Sequence, residues 1–141
     1  MDQDQFRAII DKAVKAHPED LDARNHAIEY THGTLAPGEW KAIGKDYHQL
    51  DGAAYTSALW GAAYEINGGC SDDGFDYFRA WMISAGRTVY DAAIANPDSL
   101  VQHVDPDDDD HENEDFLYLA TKRLEPGDVE PFPTDPAGED W

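Results

Sequence analysis

Apolar side chains recur three and four positions apart through most of the chain, and the predicted elements follow from that spacing. Phe6, Ile9, Ile10, Ala13 and Val14 share one face of a helix over 3–16, and Asp2 with Gln5 three positions on forms a capping box at its start. Pro18 suits the first turn of a second helix, whose face runs through Leu21, Ile28 and Leu35 in a polar segment that holds His26 and His32. Ala36-Pro37-Gly38 interrupts. Trp40, Ile43, Tyr47 and Leu50 then mark a third helix, which Gly44 weakens by about 1 kcal/mol relative to alanine.

Asp51-Gly52 reads as a turn before a fourth helix over 53–66, in which Tyr55, Leu59, Ala62 and Ile66 make the stripe while Trp60 and Tyr64 project away from it. Asn67-Gly68-Gly69 closes it, because asparagine and glycine accept the left-handed conformation that ends helices. The spacing predicts further helices from about Asp73 to Ala85, in TVYDAAIAN (88–96) and in EDFLYLATKRLE (114–125), the last with its bases in the final turn. Between the last two, Asn96-Pro97 starts a short turn through Leu100 and Val104. No segment alternates with period two. The expected fold is all-α, a compact irregular bundle of about six helices over 1–125, followed by an acidic, proline-rich tail over 126–141.

Composition narrows the setting. With 141 residues, 41% of them hydrophobic, the chain suits one domain with a sizeable core. Its single cysteine leaves no intramolecular disulfide and no cysteine-pair zinc site, which predicts a reducing, cytoplasmic setting. The first residues are acidic rather than a basic leader, and no run of about twenty apolar residues occurs, so neither a secretory signal nor a membrane span is expected.

Thirty acids against ten bases give a formal charge of −20. That charge repels phosphate backbones and anionic lipid, so direct nucleic-acid or membrane binding is not expected; a protein with a basic surface is the expected partner. Residues 105–141 carry 14 acids and 2 bases, in the run DPDDDDHENED (105–115) and in a tail with four of the eight prolines. Both read as solvated loop or extended chain. The acid run lacks the sixth-position glycine and twelfth-position glutamate of an EF-hand, so at most it binds divalent ions weakly.

Candidate chemistry gathers in GGCSDDGFDYFRAW (68–81). On a helix of 100° per residue, Phe75, Tyr77, Phe78, Trp81 and Met82 make a core face, and Asp72, Asp73, Asp76 and Arg79 collect on the opposite surface. A structural reading accounts for each: Ser71 or an aspartate caps the helix, acids favour its N-terminus, and Asp76 pairs with Arg79 at i,i+3. The functional reading uses the same acids and Arg79 to grip a cation or polar ligand, with Trp60 and Tyr64 as aromatic walls. Binding is easier to defend than proton transfer, because the helix terminus and Arg79 favour ionised carboxylates. Cys70 lies just before the helix, but the flanking aspartates disfavour its thiolate. No catalytic residue, metal site or cofactor is assigned.

Residues 59–100, with SDDGF (71–75), YFRAW (77–81), AGR (85–87) and NPDSL (96–100), resemble the signature block of a bacterial family of domains of unknown function. FRAIID (6–11) and LYLATKRLE (117–125) fit it more loosely. Members of that family occur alone or joined to WGR-type domains in proteins labelled molybdate metabolism regulators. The resemblance implies a shared helical fold and transfers no activity, cofactor or catalytic residue. The expected function is a cytoplasmic regulatory or protein-interaction module, of the kind of an inhibitor or immunity protein acting on a basic partner. Alternatives are a small-ligand- or metal-binding protein or enzyme built on the Asp/Arg cluster, and a DNA mimic. Adaptation to high salt would explain the acidity without bearing on activity.

Overall fold

A computed structural model describes residues 2–108, 110–133 and 135–138. Seven α-helices and one 3-10 helix make up the fold, with no named strand among the described residues. Helix α1 is Gln3–Ala16, α2 Leu21–Gly33, α3 Pro37–Ala53, α4 Ser57–Ile66, α5 Asp72–Ser84, α6 Arg87–Ala95 and α7 Glu114–Thr121, with the 3-10 turn at Pro97–Gln102 between α6 and α7. An all-α irregular bundle is therefore the architecture.

Local chemistry sets most helix starts. The Asp2/Gln5 capping box forms as expected, with Gln5 N–H donating to Asp2 at 2.9 Å. Ser71 caps α5 by accepting from Gly74 N–H at 3.1 Å, and Asn96 caps the 3-10 turn through Asp98 N–H at 3.1 Å. The second helix starts later than Pro18 suggests. Asp20 is its cap, and the backbone carbonyls of His17 and Pro18 instead accept from the buried Arg24 guanidinium.

Two later boundaries differ from the periodicity, and so does the exposure of the acid run. Asp51-Gly52 is not a turn: α3 runs through both, because Ile43, Tyr47, Leu50 and Ala54 keep one buried helical stripe going, and the break falls at Tyr55-Thr56. The closing helix stops at Thr121, so Lys122 and Arg123 lie beyond its last turn, and the chain turns there to bring Leu124 against α3. The acid run is not wholly solvated either. His111, 5% exposed, accepts from Asp105 N–H through Nε2 (3.2 Å), which leaves its proton on Nδ1, 3.1 Å from Asn67 Oδ1.

Helix α5 lies at the centre, against α3, α4, α6 and α7. Phe75, Phe78, Ala80, Met82 and Ser84 are all completely buried. The face expected to meet solvent is therefore covered beyond its first turn, and the small residues Ala80 and Ser84 let neighbouring helices approach on that side. Asn113, at the start of α7, ties the arrangement together by exchanging amide hydrogen bonds with Asn25 (2.7 and 3.0 Å) and donating to Ser84 Oγ (2.9 Å). These buried polar groups are mutually satisfied, so the helix packing they fix carries little desolvation cost.

The AGR and FRAIID stretches also hold two helices together. Gly86, at φ 100°, makes the turn into α6, and the next residue, Arg87, donates to Asp11 from its backbone (2.9 Å) and its Nε (2.5 Å) and to Asp4 from Nη1 (2.7 Å). AGR and the end of FRAIID thus meet in space. No helix among the described residues is long and apolar enough to cross a membrane.

Most described tail residues are exposed, as expected, but the tail returns to the junction of α3 and α4, where Ala137 N–H donates to Tyr55 O (3.0 Å) and Ser57 N–H donates to Ala137 O (2.8 Å). Exposed backbone groups at a helix junction need partners, and an extended segment can supply them.

Candidate functional site

The site is organised around Arg79, which sits in the middle of α5 and is 2% exposed. A guanidinium taken from water needs opposite charge and good geometry. Asp51, on the last turn of α3, accepts from Nε at 2.5 Å; Asp76, one turn back on α5, accepts from Nη2 at 2.5 Å. Three rings complete the enclosure. The guanidinium carbon lies 4.4 Å from the Phe75 centroid, 4.8 Å from Tyr55 and 5.5 Å from Phe132, distances at which a cation is attracted to a ring face.

Next to this cluster is an open cavity of about 400 Å³. Asp51 and Arg79 line its buried side, Tyr55, Trp60 and Phe132 wall it, and Asp72 and Asp76 line it toward solvent. Trp60 is held by stacking on Phe75 (4.9 Å between centroids) and by donating from Nε1 to Cys70 O at 2.9 Å. Two buried polar atoms in this region have no hydrogen-bond partner among the described residues: Arg79 Nη1 and the Tyr47 hydroxyl. Unmet donors of this kind are costly and rare in folded proteins.

Burial pushes the Asp51 carboxyl up, against the pull of Arg79. It also pushes up the Tyr47 hydroxyl, with the Asp51 charge adding to the effect. The Cys70 thiol is raised to about 11, first by burial and then by Glu112, which works against a thiolate nucleophile. What the arrangement offers is aromatic faces beside a buried, fixed cation and carboxylates on the solvent side. No group of three or more His, Cys, Asp or Glu placed to hold a metal occurs among the described residues.

Of the residues singled out from sequence, Trp60, Asp72, Asp76 and Arg79 come together at the cavity. Tyr64 and Asp73 do not line it: Tyr64 is on an outer face of α4, 48% exposed, and Asp73 is exposed in the first turn of α5. Arg79, placed on a surface by the helical wheel, is buried because α3 and the tail cover that side of α5. Sequence reasoning missed Asp51, Tyr55 and Phe132. The stripe Ile43, Tyr47, Leu50 and Ala54 carries Asp51 into the helix and was a usable signal for it. For Phe132, the only cue was a lone aromatic between two prolines.

The fold and the site together describe a small all-α domain with a polar, aromatic-walled cavity beside a buried arginine. Residues 1–125 match the family described as protein of unknown function (DUF4240), and the chain belongs to that family. No curated protein and no solved structure matches it. The matched stretch ends before the segment that supplies Phe132 and Pro133 to the cavity.

Proposed function

We propose that the chain is a regulatory or protein-interaction module that engages a basic partner, with the Arg79 cavity as its anchor point. The observation that carries this reading is the pairing of acids and rings at one opening: Asp72 and Asp76 face solvent beside Trp60 and Tyr55. A lysine or arginine from a partner gains both charge and ring contact there. The formal charge of −20 steers cationic partners toward the molecule at any angle, so the cavity supplies the selectivity that bulk charge cannot.

A short lysine-rich peptide titrated into the full chain by calorimetry tests this. Binding should weaken about fivefold in Asp72→Asn and less than about twofold in Glu29→Gln, which removes the same charge at a remote site, and should fall as salt shortens the screening length. Equal effects of the two variants, or binding indifferent to salt, would sink the proposal. One observation favours the second reading, a small polar ligand: about 400 Å³ lies in the range of small-molecule sites, roughly 300–1,000 Å³.

A further inference from the structure

The last described residues of the chain behave as a peptide seated in a groove. Among the described residues no side chain beyond Ala120 is buried, so the hydrophobic core is built without the tail, which covers only the Arg79 cluster beside it. The tail's path is nevertheless specific. After α7, Glu125 N–H donates to Asp128 (2.8 Å) and Lys41 lies 3.6 Å from the same carboxylate, which fixes where the segment leaves the helices. Phe132 then enters edge-on between His48 (5.0 Å, 89°) and Tyr55 (5.5 Å, 71°). Ala137 finally pairs, strand-like and parallel, with the residues on either side of Thr56. This is main-chain pairing with a pocket for one side chain, the same physics by which extended peptides add to exposed backbone.

Two backbone hydrogen bonds and one half-buried ring are few contacts against the entropy of ordering the segment, so its seat is one it can leave. Tethering favours the seat in cis, because a short linker holds the segment at an effective concentration of about millimolar. The geometry points to a docking groove at the α3–α4 junction whose occupant is the tail, seated in cis here through residues 129–133 and 135–138 and exchangeable with the same segment of a second copy of this chain. It shares the Arg79 cavity with the reading above but not that reading's ligand.

A fluorescently labelled peptide of residues 129–138, VEPFPTDPAG, followed by anisotropy against the full chain, tests the groove. Phe132→Ala in the full chain loosens the resident segment, and the peptide should bind that variant at least about tenfold more tightly than wild type. Ala137→Pro, which removes the donor to Tyr55 O, should open the groove in the same way, and a peptide lacking its own phenylalanine should not bind either variant. Equal binding to wild type and variants, or binding to none, overturns the inference. Loss of the helical circular-dichroism signal in both variants overturns it too, since the segment would then be part of the fold. The lysine-peptide titration reads Asp72 and this one reads the groove, so either idea can fail alone.

Discussion

Arg79 is enclosed by two carboxylates and three rings, and Asp51 depends on it in return. Asp51 is 7% exposed, so removing its partner leaves a buried charge uncompensated. Arg79→Ala should therefore cost about 3–5 kcal/mol in urea unfolding near neutral pH, far more than the loss of a surface ion pair. The pH dependence follows from Asp51. Its carboxyl is already raised above the ordinary value of 3.8 by burial, so the folded state holds its proton more tightly than the unfolded chain does. Stability from that proton is present at low pH and is lost as pH rises through the raised value. Without Arg79 the carboxyl rises further, and the variant's deficit should shrink when unfolding is repeated at about pH 4.5. A deficit that is the same at both pH values would show that Asp51 is not the buried charge at issue.

At the scale of elements, Gly44 separates propensity from packing. In isolation the glycine weakens α3, and alanine would gain about 1 kcal/mol. In the fold, a Cβ at that position would lie 2.6 Å from Leu124 Cγ and 2.8 Å from its Cδ2. Leu124 sits in the turn that ends α7 and starts the tail, held by its N–H to Thr121 O at 3.0 Å. Gly44→Ala should lose about 1–2 kcal/mol in denaturant unfolding, since overpacking at this contact outweighs propensity. In a Leu124→Ala background the same substitution should become stabilising. The glycine is thus a contact site between α3 and the chain after α7, which the sequence shows only as a weak point in a helix.

Across the whole molecule, charge repulsion is the dominant long-range force. Ten bases stand against thirty acids, and Arg7, Lys41, Arg79 and Arg87 are already engaged in ion pairs. The remaining acids repel one another, and this opposes the compact state. Raising salt from about 10 mM to about 500 mM shortens the screening length several-fold and should raise the melting temperature. A melting temperature that falls instead would mean that surface ion pairs outweigh repulsion.

The sequence alone determined the class of fold and most helix starts, because helical periodicity and caps such as Asp2, Ser71 and Asn96 act within one or two turns. It also pointed to Trp60, Asp72, Asp76 and Arg79, since residues three and four apart on a helix share a surface whatever covers it. Only the tertiary structure decided that Arg79 is buried, because its second carboxylate, Asp51, lies 28 positions away on another helix. The same holds for Tyr64 and Asp73, which local geometry grouped with the site and packing left outside it. It also decided that a proline-rich acidic tail lines one wall of the cavity. Composition records how little such a segment can bury by itself, but not the unpaired backbone at Tyr55 and Ser57 that receives it.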